Sequence, residues 1–195
     1  MRGMTAKPVP PMRPLAAWTR LLAIWTLSLA LLAAWALPLA AAGTHAVWRK
    51  ATDAELSAVL PLRAPVEKEH IETEMRTASG ITDGEGHFIA GVVLITAGYS
   101  ADGKYSHYLL VQSPMKMGAV ELRPGQYIFG WERDGDAIRL HVHEAVSGRL
   151  LGYVEAHRAQ AGTRVESLRI WQAEPGTSAE LQIGRFVVDC TLQGN

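Results

Sequence analysis

The sequence predicts an all-β fold: an antiparallel β-sandwich, or a barrel closed from the same meander, of about eight strands with a short, partly helical N-terminal extension. Three observations carry this. From about residue 81, apolar and β-branched runs alternate with Gly, Asp and Pro turn signals at roughly ten-residue spacing. The runs leave no room for crossover helices, so strands adjacent in sequence must pair antiparallel. One hairpin is regular enough for its register to be derived from side-chain alternation.

The elements follow in chain order. Thr52-Asp53-Ala54-Glu55 has the form of a capping box, in which Thr52 and Glu55 satisfy the exposed amides of a helix start, and Pro61 ends that helix. Val66 to Thr77 reads two ways. Val66, His70 and Met75 form a helical stripe, whereas Ile71, Thr73, Met75 and Thr77 alternate as in a strand; a strand from Ile71 is favoured, because the β pattern begins soon after. Eight strands are then expected: His87–Ala97, Tyr105–Gln112, Met117–Leu122, Gln126–Glu132, Ala137–Glu144, Arg149–His157, Arg164–Gln172 and Ala179–Leu192. Asp83-Gly84-Glu85-Gly86, Asp102-Gly103, Arg123-Pro124-Gly125, Asp134-Gly135-Asp136, Ser147-Gly148 and Glu174-Pro175-Gly176 separate them.

The derivable hairpin has the loop Val146-Ser147-Gly148, with Gly148 at the left-handed position. Its register sets Glu144 opposite Leu150, Val142 opposite Gly152, Leu140 opposite Val154 and Ile138 opposite Ala156, a largely apolar face. The other face pairs His143 with Leu151, His141 with Tyr153 and Arg139 with Glu155. A slip of one residue would mix the faces and separate Arg139 from Glu155. His141 and His143 therefore belong to the outer, wetter face.

The first 42 residues indicate where the chain acts. Leu21 to Ala42 is an uncharged apolar run behind Arg2, Lys7, Arg13 and Arg20, and the first acidic residue is Asp53. A basic start, an apolar centre and the small residues of Leu39-Ala40-Ala41-Ala42 are what signal peptidase reads, with cleavage after Ala42. The expected divisions are a signal peptide over 1–42, an extension over 43–80 and the β domain over 81–195. The competing reading is an uncleaved anchor, since the run is long enough to span a bilayer; Thr26, Ser28 and Pro38 weaken that span. No Cys lies near the cut, so lipoprotein anchoring is not expected. The location is periplasmic or secreted, with a membrane attachment only through an uncleaved leader.

Without the four basic residues of the leader, the 19 Lys and Arg fall to 15 against 19 Asp and Glu. That mild acidity argues against nucleic acid as a partner. Cys190 is the only cysteine, so no internal disulfide forms. In Phe186-Val187-Val188-Asp189-Cys190 it reads as a small buried apolar residue; the sharper alternative is a reactive or dimer-forming thiol.

Candidate chemistry is sparse. No Gly-x-Ser-x-Gly elbow, His-Glu-x-x-His helix or phosphate-cradling loop occurs. His141-Val142-His143 places two imidazoles about 7 Å apart on one side of a strand, spacing that suits two ligands of Zn or Cu, with His107 or His87 as a further donor. Solvated histidines on an outer face are the plainer reading, and no cofactor is expected. A Gly43-Thr44-His45 terminus exposed by cleavage has the donor order of a square-planar Cu(II) or Ni(II) set. Asp83-Gly84-Glu85-Gly86-His87 has the oxygens of a partial Ca²⁺ loop but reads better as a turn. Tyr127, Phe129 and Trp131 share one face of one strand. Exposed, they form a platform for stacking a ligand such as a sugar ring; buried, they are core.

Val120-Glu121-Leu122-Arg123-Pro124-Gly125-Gln126-Tyr127 resembles the Val-x-Leu-x-Pro-Gly-x-Tyr stretch of transthyretin-like and carboxypeptidase-regulatory-like β-sandwich modules. Gly91 to Trp131 is also similar in style to small secreted bacterial proteins of unknown function. The resemblance implies a sandwich and brings no catalytic residue, since in those modules the motif is structural.

The expectation is an exported, non-catalytic binding or envelope-associated module with a protein or glycan partner. The alternatives are a metal-binding protein or metalloenzyme using His141 and His143, and a small-ligand carrier with an apolar pocket.

Overall fold

A computed structural model describes residues 47–173 and 176–193. The leader, its cleavage site and Gly43-Thr44-His45 lie outside the described residues. Among those described, no helix is long and apolar enough to cross a membrane.

The chain forms one antiparallel sheet that curls into a nearly closed barrel. In chain order its elements are β1 (Arg49–Lys50), α1 (Asp53–Val59), β2 (Arg63–Val66), β3 (Glu69–Thr82), β4 (Phe88–Leu94), β5 (His107–Val111), β6 (Met115–Met117), β7 (Val120–Leu122), β8 (Gly125–Asp134), β9 (Ala137–Glu144), β10 (Leu150–Arg158), β11 (Glu166–Gln172), β12 (Ser178–Gly184) and β13 (Phe186–Leu192). The main path runs β1-β3-β4-β5-β8-β9-β10-β13-β12-β11, with β2 on β3 and the β6–β7 hairpin on β13. The expectation of eight strands therefore falls short, for a local reason. Two expected strands are tight hairpins. Met117 pairs with Val120 around Gly118-Ala119, and Ile183 pairs with Phe186 around Gly184-Arg185. Each loop carries positive φ at its glycine only. That is the first-position pattern of a two-residue turn whose twist suits a hairpin.

The 43–80 stretch is likewise not an extension that is partly helical and apart from the domain. Its described residues contribute β1, β2 and the long β3 to the same sheet. Only Asp53–Val59 is helical, started by Thr52: the Glu55 amide donates to the Thr52 hydroxyl, and the Thr52 amide donates to the Glu55 carboxylate at 2.8 Å.

Two hydrophobic cores share the strands β4, β5 and β8. Inside the barrel lie Ile89, Leu109, Val111, Phe129, Leu140, Val142, Leu181 and Val188, with Met115 and Met117 of β6. On the outer face Phe88, Ala90, Val92, Tyr108 and Ile128 are covered by Leu56, Leu60, Val66, Ala101 and Tyr105. Side chains alternate across a strand, so a run such as Phe88–Leu94 buries six of its seven positions only when both faces are covered. Burial of this kind stabilises by roughly 25 cal/mol per Å² of apolar surface.

The derived hairpin register holds from Gly152 onward: Val142 faces Gly152, His141 faces Tyr153, Leu140 faces Val154 and Arg139 faces Glu155. Near the loop it shifts, and Leu150 faces His143, because an irregularity falls between Leu150 and Gly152. The Val120–Tyr127 stretch lies in β7, the following turn and β8, with Val120 and Leu122 buried. Cys190 is a buried free thiol, pushed up to about 12 chiefly by desolvation.

Closure rests on small contacts. No main-chain hydrogen bond joins β11 to β3 among the described residues; instead the Ile170 amide donates to the Ser79 hydroxyl at 2.9 Å. Gly91 admits β11 to the barrel wall, since a Cβ there would stand 2.9 Å from Leu168 Cδ2. His107 ties β5 to β11 across the interior. Its ring stacks on Phe129 at 4.8 Å, and Nε2 donates to the Ser167 carbonyl at 3.2 Å.

Ser79→Ala should cost about 1–2 kcal/mol in urea denaturation, because the buried Ile170 amide loses its acceptor. Burial holds His107 down to about 4, against an ordinary 6.5. Above pH 6.5 both folded and unfolded chains are neutral there. Between 6.5 and 4 the unfolded chain binds a proton that the folded chain refuses, so stability falls on acidification by about 3 kcal/mol from this group. His107→Gln keeps a donor for Ser167 and should remove that part of the slope when denaturation midpoints are compared across this pH range.

Candidate functional site

The outer face of β9 carries Arg139, His141 and His143 in one column, and the segment preceding β5 packs against that face. Four side chains meet there: Glu67, Tyr105, His141 and His143, with Lys104 at the rim. Sequence reasoning identified only the two histidines as site residues.

Glu67 is the unusual member. Val66 pairs with Glu69 around the two-residue loop Glu67-Lys68, and Glu67 has φ of 54°. Three other two-residue hairpin loops place Gly118, Gly135 and Gly184 at this same first position. A side chain in the left-handed region costs about 1–2 kcal/mol, so glycine is the usual occupant. Here the cost is offset by contacts. The Glu67 amide donates to the Ala145 carbonyl at 2.7 Å. The Glu67 carboxylate accepts from Lys104 Nζ at 2.5 Å and from the Tyr105 hydroxyl at 2.7 Å. The Lys104 hydrogen bond, then that of Tyr105, hold the Glu67 carboxyl below its usual range. Gly148 leaves the room the carboxylate occupies, since a Cβ on it would stand 2.7 Å from Glu67 Oε1. Strain retained at one turn by surrounding contacts is a marker of functional sites.

The histidines form a short relay whose proton positions follow from their partners. His143 Nδ1 lies 2.9 Å from the Gly148 carbonyl, which can only accept, so Nδ1 carries the hydrogen and, in the neutral ring, Nε2 is left as an acceptor. His141 Nδ1 lies 3.3 Å from that Nε2 and donates to it. This assigns the lone pair of neutral His141 to its Nε2. Tyr105 packs edge-on to the His143 ring at 5.1 Å. Partial burial and then the neighbouring His143 lower the His141 pKa, which favours the neutral ring. The result is a basic ring nitrogen oriented by a second imidazole, suited to accepting a hydrogen bond or a proton.

Gly130 sets the spacing. It faces His141 across the β8–β9 ladder, and a Cβ there would stand 2.1 Å from the Lys104 carbonyl and 2.6 Å from His141 Cε1. Beside it opens a groove of about 220 Å³ lined by Thr96, Lys104, Tyr105, Ser106, Gly130 and Trp131. Trp131 is 47% exposed at its lip.

The expected aromatic platform is divided. Tyr127 and Phe129 are buried in the barrel core, Tyr127 donating to the Arg123 carbonyl at 2.6 Å, so the two cannot stack on a ligand. Trp131 alone of the three is exposed, because β8 runs past the rim of the barrel. The further metal donors considered with His141 and His143 are placed elsewhere. His107 lies on the interior face, and His87 Nδ1 is held by Asp83 at 2.6 Å within its own turn. That acidic loop is a turn closed by Asp83, which also accepts from the Glu85 and His87 amides. Among the described residues no group of three His, Cys, Asp or Glu side chains is arranged to hold a metal ion.

Glu67, Lys104 and Gly130 were not legible as site residues, because their roles arise from strands distant in sequence. The nearest signal was a hairpin loop without glycine at Glu67-Lys68. No family model, curated protein or solved structure matches this chain.

Glu67→Ala keeps the strained backbone and loses both side-chain partners, whereas Glu67→Gly loses the partners but relieves the strain. The glycine variant should therefore be the more stable of the two by about 1 kcal/mol in urea denaturation, the reverse of the usual order.

Proposed function

We propose that the chain is an exported, non-catalytic binding module whose partner is a glycan, held at the groove beside Trp131. The carrying observation is the exposed indole of Trp131 at the lip of a small groove with polar and cationic walls. Trp presents an apolar face and an N–H together, which suits a ring that is apolar on its face and hydroxylated at its edge. Lys104, Ser106 and Thr96 supply hydrogen-bonding groups along the groove. The strained Glu67 turn fixes Lys104 and Tyr105 beneath it, and such preorganisation lowers the entropy lost on binding. Export rests on the basic, apolar and small-residue order of the first 42 residues.

The metal-binding reading rests on one separate observation, the Nε2 lone pair of His141, which meets no hydrogen-bond partner among the described residues. Equilibrium dialysis of the purified protein against Zn²⁺ distinguishes it, since His141→Ala should abolish any retained metal if that reading holds.

On an array of bacterial and plant oligosaccharides, the mature protein should retain at least one glycan. Trp131→Ala should weaken that binding by about tenfold or more. Tyr127→Phe, altered only in the core, should leave it unchanged. Absence of any retained glycan, or hydrolysis of one that is lost in His141→Ala, overturns the proposal.

A further inference from the structure

The hydrogen-bonding groups around the Trp131 groove specify more than a glycan in general. We propose, resting on the glycan reading of that groove, that it takes one uncharged sugar ring whose hydroxyls donate to Ser106 and Thr96, and that it rejects carboxylated and sulfated sugars.

The donors along the groove wall are already spent. His107 donates through Nε2 to the Ser167 carbonyl, so its neutral ring leaves Nδ1 as an acceptor. Ser106 Oγ lies 2.7 Å from that Nδ1 and 3.4 Å from the Phe129 carbonyl. Both partners can only accept, so either contact consumes the one hydroxyl hydrogen. Thr96 Oγ1 donates to Asp102 at 3.3 Å, and the Tyr105 hydroxyl donates to Glu67 at 2.7 Å. The amides of Lys104 and Tyr105 donate to the Ala101 carbonyl, and that of Ser106 to the Phe129 carbonyl. Ser106 and Thr96 therefore meet a ligand with lone pairs. A sugar hydroxyl can donate to them; a carboxylate or sulfate, which only accepts, cannot.

Charge points the same way. Among the described residues that line the groove, only Lys104 is charged. Its ammonium meets the Glu67 carboxylate at 2.5 Å and lies over the Tyr105 ring at 4.7 Å, so an anion entering the groove meets a cation already paired. The other ammonium hydrogens and the Trp131 indole N–H are donors suited to the oxygens of a neutral ring.

Size limits the occupant to one ring. The groove holds about 220 Å³, the volume of roughly seven waters at about 30 Å³ each, which is the space of a single six-membered sugar and not of a chain. Its wall is pinned at three points. Glu67 holds Lys104 and Tyr105, Glu69 accepts from the Ser100 amide at 3.2 Å and the Ser100 hydroxyl at 2.6 Å, and Glu72 accepts from the Tyr99 hydroxyl. All three carboxylates belong to the β2–β3 hairpin, so one hairpin grips residues 99–105 and fixes the width of the groove before a ligand arrives.

The test titrates the purified protein, with nitrogen-labelled indoles, with the methyl glycosides of glucose, galactose, mannose, xylose and N-acetylglucosamine and with carboxylated and sulfated counterparts. The Trp131 indole resonance, assigned by its loss in Trp131→Ala, reports binding. At least one neutral glycoside should shift it. Its acidic counterpart should bind at least about tenfold more weakly, and the disaccharide that extends it should gain less than about threefold. Replacing its hydroxyls one at a time by fluorine, which cannot donate, should cost about tenfold at one position or more. In Ser106→Ala, whose fold is checked by circular dichroism, the parent sugar should weaken by about tenfold and the fluorine effect should vanish at one of those positions. A fluorine effect that persists at every position marks a merely structural serine and overturns the assignment, as does fluorination without effect in the unaltered protein. An acidic sugar bound as tightly as its neutral parent, or a disaccharide bound tenfold tighter, overturns the proposal while the glycan reading stands. If no sugar, neutral or acidic, shifts Trp131, both fall.

Discussion

Double burial of β4, β5 and β8 is the constraint on which the remainder of the structure depends. One face of these strands closes the barrel around Phe129, Leu109 and Ile89. The other needs a cover, and the N-terminal segment supplies it with Leu56, Leu60 and Val66. Without that cover, Phe88, Val92 and Tyr108 would form an exposed apolar patch of the kind that drives association. The cover is therefore integral to the domain, and its path brings the β2–β3 turn onto Ala145 and Gly148. The candidate site exists because a packing requirement carries Glu67 to the C-terminal end of β9.

The site joins three sequence regions through groups of different character. Glu67 comes from a turn, Lys104 and Tyr105 from the segment before β5, and the histidines from β9. Each is weak in isolation. An exposed ion pair contributes little, and a pair of histidines on an outer face is unremarkable. Their value lies in mutual positioning, since the strained turn persists only while its partners remain.

Legibility in the sequence followed the range of the interaction. The capping box at Thr52 and Glu55, the hairpin from Gly152 to Ala156 and the burial of Cys190 depend on neighbours in sequence or on composition, and they could be read. Turns marked by Gly beside Asp or Pro were also readable at Asp83-Gly84, Asp102-Gly103 and Asp134-Gly135; the Glu174-Pro175 turn lies outside the described residues. Gly118-Ala119 and Gly184-Arg185 were not, because a lone glycine inside an apolar run looks the same whether the strand continues or reverses. Barrel closure was out of reach for a different reason: Ser79 and Ile170 are brought together only by the whole path of the sheet. Of the site, periodicity placed His141 and His143 on the outer face, and Trp131 was singled out together with two residues that turned out to be core. Nothing local marks Glu67, whose conformation is imposed by contacts on distant strands.

The narrow junction between β10 and β13 has a consequence for how the domain assembles. Only His157 with Val187 and Arg158 with Phe186 pair there, and the β6–β7 hairpin fills the rest of the gap against β13. β11, β12 and β13 follow one another closely in sequence and can pair at small entropic cost. β6, by contrast, lies more than seventy residues before its partner in β13. Within the single sheet, β6 against β13 is thus a non-local pairing, and contacts of that sequence separation slow folding more than the local pairings around them.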